Sequence, residues 1–305
     1  MSLLDQIRSR YTAGVFVNSP SNTSTIDILI DTVYSTEIPY FSITVPVYNQ
    51  EDIIVDNLTS IVQKTSGTFE LILICDACSD ATERNILTWH SSLQPVPHLT
   101  RVLVLTSSQP LFETSADNLG FFCSRGKYFL EIQADMKILD TGYNMRLLQP
   151  FLQDPSIIGI SGRCCCNFSI TLGYGKLGMS MESTVKELGI DPNYYYIGNT
   201  CNRGPLLLDG EKVKELGYLD EQNFFLDDSD HDLFARAYVQ KGWICGYVPI
   251  DVYAPIANGS TRKERDALNR HAYELKKSQT QNGNYGFFTT HRHILVDTDI
   301  VCRPL

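Results

Sequence analysis

From residue 41 the chain alternates short apolar runs with amphipathic stretches, and this rhythm leaves few folds open. FSITVPV (41–47), FELILIC (69–75), RVLVLT (101–106) and KYFLEI (127–132) read as strands. Between them, EDIIVDNLTSIVQKTS (51–66) puts Ile54, Leu58, Ile61 and Val62 on one helical face. SDATERNILTWHSSL reads as a second helix with Ser79 or Asp80 at its N-cap, and TSADNLGFFCSRG as a third. Strands alternating with helices at this spacing predict an α/β fold with a mostly parallel, Rossmann-like sheet covered by helices. Further on, IIGISGR (157–163) and WICGYVP read as strands. DHDLFARAYVQKG reads as a helix closed by Gly242, and VKELG as the end of a helix with Gly217 after it.

The Ser/Thr/Asn-rich opening, with SPSNTST at its centre, reads as an N-terminal arm over residues 1–38. The sheet-forming domain is placed at 39–255. The polar stretch from 256 to 305, including RKERDALNRHAYELKKS, is expected to be a helical extension packed on that domain.

The net charge of −10 carries no basic footprint, so nucleic acid is a poor partner. An acidic chain that handles a phosphorylated ligand needs a metal ion or a local cation. No apolar run approaches a membrane span, and MSLLDQIRSR lacks the apolar centre of a signal peptide. Nine cysteines, an odd number, fit a reducing and therefore cytoplasmic setting. Cys75-Asp-Ala-Cys78 has redox-motif spacing and Cys164-Cys165-Cys166 is unusual, but no second spaced pair completes a zinc site.

Parallel sheets bind ligands beyond the carboxyl ends of their strands. After the first strand comes Pro46-Val-Tyr48-Asn49, after the second Asp76, Ser79 and Asp80, and after the fourth Gln133-Ala134-Asp135. Asp76 and Asp135 therefore project to one edge. Two carboxylates do not bind phosphate directly, but they do so through a hard divalent cation that takes carboxylate and phosphate oxygens together. Asp76 is also suited to accept the N–H of a nucleotide base. Gly173-Tyr-Gly175-Lys-Leu-Gly178 matches a dinucleotide fingerprint in letters only, since no clear strand with a terminal acid follows it. FFLDDSDHDLFARA (224–237) crowds four aspartates into six positions. A calcium loop would need glycine six positions into the motif and glutamate at the twelfth, where Leu233 and Val239 stand.

TVPVYNQED, CDACSDAT, GKYFLEIQADM and LDEQNFFLDDSDHDLFARAYVQKGW resemble the successive motifs of family 2 glycosyltransferases, over roughly residues 40–255. The resemblance implies the GT-A fold and an inverting, metal-assisted transfer of one sugar from a nucleotide-sugar, a UDP-sugar by expectation, to a hydroxyl acceptor on a glycan, glycoprotein or other molecule. It places Pro46, Tyr48, Glu51 and Asp76 at the donor nucleotide. Gln133, Ala134 and Asp135 stand at the D-x-D motif, with glutamine in place of its first aspartate and Asp135 as the ligand of Mn2+ or Mg2+. Counting back from Arg236 makes Asp230 the general base, with Ser229 where glutamate is usual; counting forward from Phe224-Phe225 favours Asp228. NTCNRGP (199–205) is similar to the acceptor-side stretch and offers Arg203 to the diphosphate or to an acidic partner. The histidine ligand common after the last strand is missing, with Pro255 near its place, and the Q-x-x-R-W motif of processive synthases is absent. Two alternatives stand beside this reading: a binding protein of the same fold with a decayed site, motivated by Gln133 and Ser229, and an NAD-dependent oxidoreductase using the Gly173 loop.

Overall fold

The computed structural model describes residues 1–12, 26–167, 175–178, 181–226, 228–255, 270, 274–275, 278 and 300–305. The first half contains α1 (Leu3–Thr12), β1 (Ile26–Val33), β2 (Phe41–Val47), α2 (Ile54–Lys64), β3 (Phe69–Asp76), α3 (Thr82–Ser92), β4 (Leu99–Ser107), α4 (Phe112–Cys123) and β5 (Tyr128–Glu131). Then come β6 (Lys137–Ile138), α5 (Tyr143–Gln153), β7 (Ile157–Ser161), β8 (Cys164–Asn167), β9 (Gly175–Gly178), β10 (Tyr194–Gly198) and β11 (Thr200–Cys201). The remaining elements are β12 (Leu206–Asp209), α6 (Gly210–Glu215), α7 (Ser229–Lys241), β13 (Ile244–Tyr247), β14 (Val252–Tyr253) and β15 (Val301–Pro304).

Ten strands form one sheet in the order β1-β4-β3-β2-β5-β12-β7-β13-β10-β15. Following the pairings across it, β1, β12 and β10 run against the other seven. The parallel block β4-β3-β2-β5 is the expected central sheet. Every residue of β3 is buried, as a strand covered on both faces requires. On one side Ile54, Leu58, Ile61 and Val62 of α2 and Trp89 of α3 pack onto Ile43, Val45, Leu71 and Leu73. On the other, Leu119 and Cys123 of α4 meet Ile72, Ile74, Leu103 and Leu105.

The N-terminal arm is tied into this sheet. Its IDILIDTV run alternates buried and exposed residues and pairs with β4 as an antiparallel edge strand. Ile7 of α1 and Ile26 of β1 sit in the same apolar cluster as Ile72. At the other edge, β15 pairs with β10, and Arg303 reaches Asp154 at 2.6 Å. The helical extension expected over 256–305 falls almost wholly outside the described residues.

Pro46 shapes the carboxyl edge of the sheet. The Ile132 N–H donates to the Thr44 carbonyl, so Thr44 faces β5, and so does Pro46 two residues later. Proline has no N–H to extend that ladder. β5 parts from β2 at this point, and the turn carrying Gln133, Ala134 and Asp135 leaves the sheet there.

The glycine-rich stretch adopts no strand–turn–helix fingerprint in its described part. Gly175–Gly178 is strand β9, paired antiparallel with β8 in a three-stranded sheet, and Gly173 lies outside the described residues. Gly178 has φ +97°, and a Cβ there would stand 2.5 Å from the Arg163 carbonyl oxygen. Close strand contact explains that glycine, with no cofactor needed. All nine cysteines are free thiols, and no helix among the described residues is long and apolar enough to cross a membrane.

Candidate active site

The loops after β2 and β3 are stitched together at the carboxyl edge. Asn49, held at φ 46°, accepts the Ser79 N–H at 2.8 Å and donates to its hydroxyl at 3.1 Å. Glu51 accepts the Ala81 N–H at 2.8 Å, and its own N–H donates to Asp80 at 3.2 Å. Asp80 also accepts the Thr82 N–H at 3.0 Å, so acidic side chains gather at the start of α3, where the helix dipole favours negative charge. Tyr48 lies buried beneath this clasp and Pro46 is half-buried.

Asp76 ends β3 and is buried. One carboxylate oxygen accepts the Leu111 N–H at 2.5 Å, the other the Phe112 N–H at 3.0 Å. Phe112 sits at φ +61°, an uncommon conformation for a bulky residue. Asp76 thus holds the strained first turn of α4.

Helix α4 in turn holds the segment with the aspartates. Ser115 and Asn118 donate to Glu221 at 2.6 and 2.5 Å, the Thr114 N–H donates to the Phe225 carbonyl at 3.2 Å, and Phe112 meets Phe225 edge-on at 5.0 Å. This anchors the start of α7. There Asp230 is buried and accepts N–H groups from Arg203 at 3.1 Å and His231 at 2.8 Å. Burial pushes the Asp230 carboxyl upward, but His231, Arg203 and the two N–H groups outweigh it and hold the pKa below the usual aspartate value. Asp228 is exposed at the N-cap with φ +66°, and Asp227 lies outside the described residues. Asp232 pairs with Arg236 at 2.7 Å, and Arg236 also donates to the Leu216 and Tyr218 carbonyls.

Between Asp230 and the turn after β5 lies a buried ionic group. The Arg203 guanidinium is 2.9 Å from Asp117 and 3.5 Å from Glu113, and it donates to the Thr114 hydroxyl at 3.2 Å. Its partners are therefore on α4, while only its backbone N–H reaches the aspartate cluster. Glu131 accepts the Gly204 N–H at 2.8 Å. Oxygen atoms of Glu113, Asp117 and Glu131 lie within 4.8 Å of one another, and Asp117 Oδ1 and Glu131 Oε1 are buried without a hydrogen-bond partner. Burial first, and then neighbouring carboxylates, push Glu131 well above the usual range. Asp117 is likewise raised by burial, against the pull of Arg203. The Gln133 amide donates to Glu113 at 2.6 Å. The Ala134 carbonyl accepts from Asn57 at 2.8 Å, and Asp135 is half-buried at the same turn. The donor set here is carboxylate oxygen throughout, the chemistry that suits Mg2+ or Mn2+ rather than a soft metal.

The model of the family described as "Glycosyl transferase family 2" matches residues 42–179, the stretch containing β2 to β5 and the turn after them. That match spans less than half of the chain. An uncharacterized glycosyltransferase of Haemophilus influenzae is 31% identical over 98 residues, 32% of this chain and 28% of that protein. Among solved structures, a mannosyltransferase, PcManGT, from Pyrobaculum calidifontis superposes with a TM-score of 0.52 at 14% identity, covering 92% of this chain and 74% of that one. GalNAc-T7 superposes at 0.57 with 15% identity over 85% of this chain and 54% of that one. The fold is the GT-A glycosyltransferase fold.

Within this fold, the residues named from sequence fall into two groups. Pro46, Tyr48, Glu51, Asp76, Gln133, Ala134 and Asp135 gather at the carboxyl ends of β2, β3 and β5. Asp230 and Arg203 meet through the Arg203 N–H, and Glu113 links Arg203 to Gln133. Glu113, Asp117 and Glu131 were missed. The available signals were an i, i+4 pair of acids on α4 and a charge inside the apolar KYFLEI run.

Proposed function

We propose that the protein is an inverting glycosyltransferase that moves one sugar from a UDP-sugar to an acceptor hydroxyl. The observation that carries this reading is the unbroken chain of contacts from Gln133 through Glu113 and Arg203 to Asp230. It joins a turn suited to a diphosphate to a buried, ionised carboxylate. Solved relatives of the fold support the donor class: PcManGT was solved with GDP-Man and Mn2+, and GalNAc-T7 with UDP, GalNAc and Mn2+.

In this reading Pro46, Tyr48, Glu51 and Asp76 hold the nucleotide, with Gln133 and Ala134 at the ribose and diphosphate. Asp135 holds a divalent cation, which when bound neutralises charge on the departing diphosphate. The acceptor oxygen attacks the anomeric carbon from the face opposite the nucleotide. The new C–O bond forms as the bond to UDP breaks, through an oxocarbenium-like transition state. The acceptor proton passes to Asp230. Arg203 keeps the acceptor-side loop against α4. Asp230, with its pKa lowered, is ionised at neutral pH and ready to accept. The acceptor class is a glycan, a glycoprotein or another hydroxyl-bearing molecule.

A second reading of the base rests on exposure. Asp228 is open to solvent, whereas the Asp230 carboxylate already accepts two N–H groups. Asp230→Asn and Asp228→Asn, assayed for transfer and for UDP binding, separate the two. Loss of a general base costs on the order of 10²–10⁴ in rate. The expected outcome is that loss in Asp230→Asn with UDP affinity kept, and little change in Asp228→Asn. The reverse result moves the base to Asp228. Full activity in both variants would remove the aspartate cluster from the chemistry.

A further inference from the structure

The buried ionic group holds more carboxyls than cations. Glu113 and Asp117 pair with the single guanidinium of Arg203, while Asp230 takes the Arg203 backbone N–H and Glu131 the N–H of Gly204. Two of its carboxylate oxygens, on Asp117 and Glu131, have no partner. Asp117 and Glu131 are fully enclosed, with relative exposures of 0% and 1%. Glu113 differs, because its side chain keeps 19% of its exposure and spends one oxygen on the Gln133 amide. It is the member of the group that reaches toward the turn after β5.

That hydrogen bond fixes the glutamine. The Glu113 oxygen accepts at 2.6 Å, and the group that donates to it is the amide nitrogen. The amide oxygen is thereby turned away from α4. A charge-assisted bond of this length is also among the stronger ones available to a half-buried side chain. Gln133 stands two residues before Asp135, in a turn that is pinned at its middle by Asn57 and at its end by the Met136 N–H to the Gln133 carbonyl, 3.0 Å. Those contacts hold the backbone, and Glu113 holds the side-chain amide.

We infer that Glu113, on α4, is a positioning residue for the donor: it locks the Gln133 amide with Nε2 toward itself and Oε1 toward the donor, and it supplies from a different element the negative charge that the turn lacks at position 133. This rests on the nucleotide-sugar reading above. The ligand group addressed is one that donates a hydrogen bond, a sugar hydroxyl of the nucleotide. The arrangement is a matched pair, one acid and one amide, and it works in either order provided that exactly one of the two carries the charge.

The test is a swap. UDP affinity is measured by calorimetry with Mn2+ for the wild type, Glu113→Gln, Gln133→Asp and the double variant Glu113→Gln/Gln133→Asp, with thermal unfolding recorded for each. Glu113→Gln frees the amide to flip and should weaken UDP on the order of tenfold, the size expected for one lost charge-assisted hydrogen bond. Gln133→Asp sets two carboxylates against each other and should weaken it at least as much. The double variant should recover most of the affinity, a rescue that a merely structural role would not produce. Gln133→Met, which removes the amide without adding charge, gives the same weakening if Glu113→Gln alone fails to fold. Unchanged affinity in Glu113→Gln or Gln133→Met, or losses that simply add in the double variant, overturns the inference and leaves the glycosyltransferase reading intact. Failure of the wild type to bind UDP or another nucleotide overturns both.

Discussion

Glu131 shows what a single misplaced-looking residue does. It sits in a strand whose other residues are all buried and pairs directly with Leu206 of β12. One oxygen takes the Gly204 N–H, and the other has no partner and faces carboxylates. Its folded pKa is raised above that of the unfolded chain, about 4.3 for a free glutamate. A raised carboxyl means that the folded state binds more protons, so its contribution to stability is present below about pH 4 and is lost as pH rises through the folded pKa. Glu131→Gln keeps the acceptor for Gly204 and presents an N–H to the acids beside it. Its melting temperature should exceed that of the wild type at about pH 8, and the gain should fade as pH approaches 4. Thermal unfolding across that range checks the sign. A variant less stable than wild type at the alkaline end would mean that Glu131 holds a partner worth more than its desolvation.

At the scale of elements, α4 joins the two halves of the site, and Asp76 governs its start. Both N–H groups at that turn depend on one carboxylate. Asp76→Ala leaves them buried and unpaired, at about 1–3 kcal/mol each. The expected outcome is a lower melting temperature together with weaker UDP binding, since the residue proposed to meet the base also holds the helix. Asp76→Asn keeps one acceptor and should cost less in stability; equal melting curves for wild type and Asp76→Ala would show that α4 starts without it. The elements around this site were legible where long apolar runs fix the period. The helix expected over 51–66 occupies Ile54–Lys64, and the strand expected over 101–106 extends to Leu99–Ser107. β1 does not stand out from the arm in sequence because Asp27 and Asp31 interrupt its apolar residues on the exposed face. Helix α5 hides behind Pro150, and β6, β8, β9 and β11 are two to four residues long. The places of Asp76 at a strand end, Asp135 after a strand and Asp230 at a helix start are legible because such ends are marked in the sequence. The Glu113–Arg203 contact could not, because residues far apart in the chain meet only once α4 packs on the sheet.

For the whole molecule, the sheet is one continuous surface, and the proposed donor site spans its middle. The proposed nucleotide end lies on the parallel block, whereas Arg203 stands before β12 and Asp230 at the start of α7. A ligand that bridges them binds only the folded chain and must raise its stability by mass action, about 2.7 kcal/mol at a hundred times its dissociation constant. Thermal unfolding with UDP-, GDP- and dTDP-sugars, each with and without manganese, reads this directly. The expected outcome is the largest shift with UDP-sugars and a part of that shift that requires the metal. Asp135→Ala should remove the metal-dependent part and keep the rest, because the nucleotide contacts proposed for Asp76, Tyr48 and Glu51 do not pass through the cation. A shift equal in wild type and Asp135→Ala at saturating manganese would place the cation elsewhere, with Glu113 and its buried neighbours as the oxygen donors then to be tested. A larger shift with a GDP-sugar would keep the enzyme class and reassign the base that Asp76 meets.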